Sequence, residues 1–68
     1  MEIKSPVFGT LAMLHVEDGA EVEVGDSLCE VEAMKNFIRV GAAAAGTVKW
    51  LVELGEVVDE GDVLGEIT

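Results

Sequence analysis

The sequence has few of the residues that form disulfides or metal sites in very small domains. It contains one cysteine, Cys29, one proline and no tyrosine among its 68 residues. A single cysteine excludes an internal disulfide, and it excludes a cysteine-rich zinc site, which needs several ligands. We therefore predict that the chain has no metal site and that its core is held together by apolar packing alone.

Positive charge is also scarce. Four basic residues stand against 14 acidic ones, which gives a formal net charge of −10. Nucleic-acid phosphates and anionic membrane surfaces are bound mainly through Lys and Arg side chains. The charge balance therefore predicts that neither nucleic acid nor a membrane surface is a partner.

Long apolar segments are missing as well. The most uniform apolar stretch, residues 40–45, is far shorter than the roughly 18–20 residues that span a bilayer. Residues 1–6 lack the apolar segment of a signal peptide. We expect a soluble domain in the cytoplasm.

The length limits what the chain can do by itself. A chain of 68 residues makes one domain, 1–68, and buries only about 60% of its unfolded surface. It does not bury both a full core and a catalytic cleft, so we expect a non-catalytic carrier, binding or structural module and not an enzyme. Half of the residues are apolar and the mean hydropathy is +0.41, which is typical of a folded chain and not of a disordered one.

The sequence contains an internal repeat. Gly9-Thr10 recurs 37 positions later as Gly46-Thr47, and Leu14 recurs as Leu51. With one extra residue placed near His15, the offset becomes 36 and eight further identities follow. These are Val16/Val52, Glu17/Glu53, Gly19/Gly55, Val22/Val58, Gly25/Gly61, Asp26/Asp62, Leu28/Leu64 and Glu30/Glu66. The half-repeats, about 5–33 and 42–68, predict two similar sheets related by a pseudo-twofold axis.

Each half-repeat carries the signals of strands and turns. Short runs of Val, Leu and Ile are separated by turn pairs such as Asp18-Gly19 and Gly25-Asp26. Turn signals every 8–12 residues are typical of an all-β sandwich or barrel. We predict strands at 2–4, 10–16, 21–22, 27–33, 37–40, 46–53, 57–58 and 63–68. Residues 48–52 should be buried on most faces, and residues 42–45, bracketed by Gly41 and Gly46, should form a tight corner instead of a helix.

Lys35 lies near the middle of the chain, at the seam between the two half-repeats. The strands on both sides of it look buried, so Lys35 is predicted at the tip of a hairpin, with Asn36 as a turn residue that tolerates left-handed backbone. An exposed methionine at a tip lowers solubility and adds nothing to the core, so Met34 is expected there only if another protein binds it. The alternative is an ordinary solvated turn lysine beside a methionine that folds back on the core. Nothing nearby in sequence desolvates Lys35. We therefore expect its amine to accept a group that another protein attaches, and not to act as a catalytic base or Schiff-base lysine.

These residues carry a resemblance to a known family. Glu32-Ala33-Met34-Lys35 resembles the biotin attachment motif of the biotin/lipoyl attachment domain family, biotinyl type. Residues 24–35, with 5–10 and 45–49, are similar to the biotin carboxyl carrier domains of acetyl-CoA carboxylase and related biotin-dependent carboxylases. Asn36 stands where the family usually has a second methionine. Residues 15–19 leave no room for the thumb insertion of the bacterial acetyl-CoA carboxylase type.

The resemblance implies a fold and a function. The fold would be a flattened β barrel, or sandwich, of two antiparallel sheets (the hammerhead of biotinyl and lipoyl domains). Lys35 would carry biotin in amide linkage on an exposed turn. A biotin–protein ligase would recognise the tip through Glu32, Ala33, Met34 and Asn36. A biotin carboxylase would then place carboxylate on the biotin, and a carboxyltransferase would pass it to an acceptor such as an acyl-CoA.

Two other functions remain open. A lipoyl carrier domain of a 2-oxo acid dehydrogenase complex would share the fold and the central lysine. Lipoyl domains usually have Asp before the lysine and Ala after it, where this chain has Met34 and Asn36. An unmodified interaction module with a lipoyl-like hairpin is the third hypothesis, but such a module needs neither a lysine nor an exposed methionine at its tip.

The remaining reactive and aromatic residues are interpreted structurally. Cys29 is predicted to be a small buried hydrophobe, since no basic neighbour activates its thiol. His15 is expected beside a loop, with too few partners for a catalytic triad. Phe8, Phe37 and Trp50 are expected in the core.

Overall fold

The computed structural model describes residues 1–68 and contains eight strands and no helix. The strands are β1 (Glu2–Lys4), β2 (Gly9–Leu14), β3 (Glu21–Val22), β4 (Ser27–Ala33), β5 (Asn36–Gly41), β6 (Gly46–Trp50), β7 (Val57–Val58) and β8 (Val63–Ile67). Every predicted strand is present. The predicted ranges of β2 and β6 are too long at their C-terminal ends, by two and three residues.

The strands form two antiparallel sheets of four. One sheet has the order β1-β8-β6-β3 and the other has the order β5-β4-β2-β7. The predicted all-β fold of two antiparallel sheets is therefore confirmed. No helix of the structure is long and apolar enough to cross a membrane.

Each short strand is exchanged between the two half-repeats. β3 pairs with β6, and β7 pairs with β2. The hydrogen bonds of this exchange recur 36 or 37 residues apart, since Gly19 N donates to Val48 O at 2.7 Å and Gly55 N donates to Leu11 O at 2.8 Å. Gly19 and Gly55 both have positive φ, 89° and 92°. Each sheet is thus completed by a short strand of the other half-repeat, through equivalent hydrogen bonds.

One sheet contains a β-bulge where the other does not. Leu11 pairs with Val31 and Met13 pairs with Glu30, so Ala12 has no partner on β4. β6 pairs with β8 without interruption. The extra residue of the first half-repeat is therefore Ala12, and its expected position near His15 is wrong. A bulge inserts one residue into one strand only, so no turn signal marks it in the sequence.

The bulge changes which residues are equivalent. Leu14 pairs with Cys29, and the corresponding pair 36 residues later is Trp50 with Gly65. Leu14 therefore corresponds to Trp50, and its identity with Leu51 is not a structural equivalence. The two pairs fill the same space differently, with two medium side chains in one sheet and a large ring over a glycine in the other. A Cβ on Gly65 would lie 3.2 Å from Trp50 Cε3 and 2.5 Å from Lys49 O.

The core lies between the inner faces of the two sheets. Leu28 and Leu64, equivalent residues of β4 and β8, are fully buried. Cys29 is also fully buried, as predicted. Burial, with a smaller contribution from Glu30, raises the pKa of the Cys29 thiol from 9.0 to about 11. The core comprises Ile3, Leu11, Val22, Leu28, Cys29, Val31, Val40, Ala42, Val48, Val58, Leu64 and Ile67.

Several predictions of burial are wrong. Residues 48–52 alternate, with Val48 buried and its neighbour Lys49 exposed, because the outer face of β6 is solvated. Val40 is the one buried residue of β5. Phe8 and Phe37 are 65% and 59% exposed. Phe37 lies outside the core because a strand that covers the core on one side turns its alternate residues to solvent. Phe8 lies in a bend before β2.

The structure agrees with three predictions about smaller features, with the first of them only in part. Trp50 packs against the core while half-buried, and its Nε1 donates to Val16 O at 3.0 Å. Residues 42–45 form bends, with no helix. His15 follows the end of β2 and pairs with Glu30, in keeping with its expected place beside a loop.

Candidate functional site: the tip of the β4–β5 hairpin

A two-residue turn joins β4 to β5. Strand pairing continues to Ala33 opposite Asn36, so Met34 and Lys35 are the only residues of the turn. Their φ angles are 49° and 67°. Positive φ at both central residues is the mark of a type I′ turn, whose twist matches that of the flanking strands. Asn36 was expected to take the left-handed conformation, but it begins β5 and that expectation is wrong.

The turn uses unfavourable residues for this conformation. Type I′ turns strongly prefer Asn and Gly, because left-handed backbone costs other L-residues roughly 1–2 kcal/mol each. Met34 and Lys35 are the only two non-glycine residues of the chain with positive φ. Strain of this kind concentrates at functional sites, so these two side chains are the first candidates for a function.

Both side chains of the turn project into solvent. Met34 is 95% exposed and Lys35 is exposed. Met34 therefore does not fold back on the core, which excludes that part of the alternative interpretation. No carboxylate lies within 4.0 Å of Lys35 Nζ, since the ion pairs of the structure join other residues. The Lys35 amine is accordingly an accessible and unengaged group.

The five predicted site residues are brought together on the tip. Ala33 and Asn36 face each other as the last strand pair, and Glu32 pairs with Phe37 one step below. The side chain of Asn36 reaches the carbonyl oxygen of Met34 only at 3.5 Å, a distance at which a hydrogen bond is weak. The shape of the tip is thus set by the backbone ladder and not by side-chain bonds.

A glycine supports the hairpin from the neighbouring strand. Gly9 begins β2, and a Cβ at this position would overlap the carbonyl oxygen of Glu32. β2 can lie this close to the end of β4 only because residue 9 has no side chain. The sequence signal for this close approach is the recurrence of Gly9 as Gly46, where a Cβ would lie 2.6 Å from Thr68 O.

The tip is far from the ends of the chain. Gly41, the last residue of β5, lines a shallow hollow together with Met1. The five steps from Asn36 to Gly41 extend about 17 Å at about 3.3 Å per residue. The whole molecule measures 30 × 19 × 18 Å. The hairpin therefore holds Lys35 well away from the two termini.

The charges around the tip leave Lys35 as its only cation. Glu30 and Glu32 lie on the outer side of β4, and Glu30 Oε2 is 2.6 Å from Nε2 of His15. The nearest basic residue along β5, Arg39, is engaged: its Nε donates to Ser27 Oγ at 2.6 Å, and its guanidinium also contacts the Gly25 carbonyl oxygen. No general base or second nucleophile stands beside Lys35, so the site is suited to accept a group and not to transform one.

Comparison with known proteins identifies the family. Residues 1–67 match the family model described as biotin-requiring enzyme. The chain belongs to the biotin-requiring enzyme family. Its predicted resemblance to biotinyl domains is confirmed.

Individual relatives agree with this assignment. The biotin carboxyl carrier protein of acetyl-CoA carboxylase from Haemophilus influenzae is 46% identical over 54 residues, which cover 69% of this chain and 35% of that protein. In a Kluyveromyces lactis urea carboxylase structure, a region covering 100% of this chain and 6% of that one superposes with a TM-score of 0.92 at 32% identity. The chain spans between 3% and 35% of the length of the curated relatives it matches.

A lipoyl domain has the same fold. The lipoyl domain of the 2-oxoglutarate dehydrogenase complex from Azotobacter vinelandii superposes with a TM-score of 0.83 at 28% identity, covering 100% of this chain and 95% of that one. Its agreement is lower in both respects than that of the urea carboxylase. Within the biotin-requiring enzyme family, the chain is thus closer to this carboxylase domain than to this lipoyl domain.

Proposed function

We propose that the chain is a biotin carboxyl carrier domain and that Lys35 carries biotin in amide linkage. The single observation that carries the proposal is an accessible lysine in a strained two-residue turn that has no internal use for it. Membership of the biotin-requiring enzyme family supports biotin as the group. The domain itself is non-catalytic in this proposal, in which Lys35 accepts the group and no carboxylate lies within 4.0 Å of its amine.

Attachment of biotin requires only one reactive group of the domain, the amine of Lys35. Lys35 Nζ must lose a proton and attack an activated carboxyl group of biotin. The amide bond forms as the bond to the leaving group breaks, and the leaving group departs with the electron pair of that bond. A biotin–protein ligase would supply the activation and would recognise Glu32, Ala33, Met34 and Asn36. The carrier supplies an amine that a second protein can approach from all sides.

The architecture also fits transport between two active sites. A biotin carboxylase would load carboxylate onto the attached biotin, and a carboxyltransferase would remove it. Tethering makes each encounter intramolecular, with effective concentrations up to the millimolar range. Strand β5, which extends about 17 Å from Asn36 to Gly41, keeps the attachment point away from Gly41 and the hollow that it lines with Met1.

Modification by a ligase tests the proposal. The chain is expressed with a biotin–protein ligase and excess biotin, and its intact mass is recorded. We expect one biotinyl adduct, absent from Lys35→Arg and present in the control Lys49→Arg, which changes an exposed lysine on β6. An adduct that persists in Lys35→Arg would overturn the assignment of the site.

A lipoate ligase in the same assay tests the second candidate function. The superposition on the lipoyl domain from Azotobacter vinelandii favours lipoylation as that second candidate. A lipoyl adduct without a biotinyl one would establish a lipoyl carrier. No adduct from either ligase would establish the unmodified interaction module.

A further inference from the structure

The two sheets carry different side chains at equivalent outward positions. Thr10 pairs with Val57 on one sheet, and the equivalent pair on the other sheet is Thr47 with Glu21. Val57 is 67% exposed. An exposed valine therefore stands where the pseudo-symmetric position has a charged residue. The backbone does not cause this difference, because the two pairs have the same geometry.

A second pair of positions shows the same difference. Met13 is 45% exposed and faces Glu30, whereas Lys49 occupies the equivalent position and faces Glu66. On one sheet a methionine stands beside the glutamate, and on the other a lysine does. The outer face of the β1-β8-β6-β3 sheet is charged throughout its centre, as a solvated face is expected to be.

The exposed apolar residues are aligned with the functional turn. Phe37 pairs with Glu32, Glu32 with Thr10, and Thr10 with Val57, so these four form one row across the sheet. Residues paired in this way project from the same face. Three strand spacings of about 4.8 Å make the row about 14 Å long. Phe37, at one end of the row, is two residues from Lys35.

We define the outer-face patch as Phe37, Thr10, Val57 and Met13, with Glu30 and Glu32 among them. Exposed apolar side chains and acids alternate on this face, because Glu32 and Thr10 lie between Phe37 and Val57, and Met13 faces Glu30. Such a face can bind a partner by apolar contact and by charge at the same time. A second copy of this chain is a poor occupant, because two surfaces of molecules with net charge −10 repel each other. A surface of opposite charge complements the acids.

We propose that the outer-face patch docks the domain on the biotin carboxylase that loads the group carried by Lys35. The partner surface combines apolar side chains with Lys and Arg side chains that face Glu30 and Glu32. This inference rests on the proposed carrier function and adds the face by which the carrier is held. The patch is small, and interfaces below about 1,200 Å² are typical of transient encounters. A carrier that must leave one active site for the next needs such a contact.

The test is carboxylation of the biotinylated domain by the purified biotin carboxylase of the same cell, with ATP and bicarbonate. The test variant is the double substitution Met13→Lys, Val57→Thr, which leaves residues 32–37 unchanged. The control is Lys49→Met, which creates an exposed methionine at the equivalent position of the other sheet. Intact mass is recorded first to verify that each variant carries biotin, and melting temperature to verify that it is folded.

We expect KM for the double variant to rise about tenfold or more, with kcat nearly unchanged and the control unaffected. A rise in salt from 0.05 to 0.5 M should raise KM of the unchanged domain, because screening weakens attraction between acids and basic side chains. Unchanged KM in a fully biotinylated double variant would overturn the docking surface and leave the carrier function intact. Failure of the unchanged domain to accept biotin would instead overturn the carrier function. If the double variant is unstable, Val57→Thr alone is used with the same criterion.

Discussion

The two ends of the molecule are built from equivalent strand pairs with different closures. At one end β4 passes into β5 through Met34 and Lys35, and both turn residues have positive φ. At the other end β8 pairs with β1, and Met1 N donates to Ile67 O at 2.7 Å. A duplicated frame therefore provides two matching ends, and only the β4–β5 end presents a lysine on a strained turn. We therefore expect the function to depend on this turn and not on the frame that the two ends share.

Truncation of equivalent core residues tests whether the frame is shared equally. Leu28 and Leu64 are both fully buried, and their carbonyl oxygens accept equivalent hydrogen bonds from His15 N and Leu51 N at 2.9 Å. Leu28→Ala and Leu64→Ala should each lower the free energy of unfolding by about 2–5 kcal/mol. Urea denaturation measures both. A loss confined to one variant would show that the two sheets do not share the core.

The two crowded glycines should differ in the cost of substitution. Gly9→Ala places a methyl group against the Glu32 carbonyl in the middle of a sheet, whereas Gly46→Ala meets the carbonyl of Thr68 and a side-chain methyl group of Ile67. Gly46 also has a φ of 154°, which L-residues rarely adopt. We expect Gly9→Ala to lower stability by about 1–3 kcal/mol, and Gly46→Ala by more, because backbone strain adds to the close contacts. Each kcal/mol lowers Tm by about 4–8 °C in a domain of this size. A larger loss from Gly9→Ala would contradict the expected difference.

The buried thiol gives one sheet a pH dependence that the other lacks, since Gly65 occupies the position equivalent to Cys29. Below pH 9 the thiol is protonated in both the folded and the unfolded chain and contributes nothing to pH dependence. Between pH 9 and about 11 it ionises first in the unfolded chain, because burial raises its folded pKa to about 11. Stability should therefore fall with rising pH, by about 1.4 kcal/mol from this group at pH 10.

Urea denaturation at pH 8, 9 and 10 under reducing conditions measures the effect of the thiol. Cys29→Ala is the control, and its stability should decline less over the same range by the amount assigned to Cys29. Identical declines in the two proteins would mean that the thiol is not desolvated.

Relief of the turn strain should have the smallest effect on stability and a clear effect on modification. Met34→Gly should raise the free energy of unfolding by up to about 1 kcal/mol, since glycine adopts positive φ at no steric cost. The same variant should be biotinylated more slowly, because the ligase loses the exposed methionine. Thermal melts and timed mass spectra measure the two effects. Unchanged modification would remove Met34 from ligase recognition.

The sequence predicted the frame well. All eight strands followed from turn residues, apolar runs and the repeat, and the tip followed from the place of Lys35 between two strands at the seam of the repeats. These features depend on local patterns and on the repeat. The exposure of Phe37 did not follow, because apolar character alone does not tell the inner face of a strand from the outer one. The exposure of Phe8 did not follow either, because Phe8 lies in a bend, where no strand alternation applies.

The position of the bulge at Ala12 could not be predicted from the sequence, for a different reason. A shift of one residue moves every later side chain of a strand to the opposite face. Leu14 and Leu51 match in sequence, yet in the structure Leu14 occupies the position equivalent to Trp50. The register is decided by packing, in which Leu14 with Cys29 fills the space that Trp50 fills over Gly65.

The exchange of β3 and β7 between the sheets makes the two repeats mutually dependent. Neither repeat alone contains the partner of its own two-residue strand, so neither can complete a four-stranded sheet. Folding must then be all-or-none, with distant segments meeting before any sheet is closed, and such topologies fold slowly. Two fragments produced by cutting between β5 and β6 should each be unstructured in isolation. They should assemble when mixed, because each supplies the partner of the other's short strand.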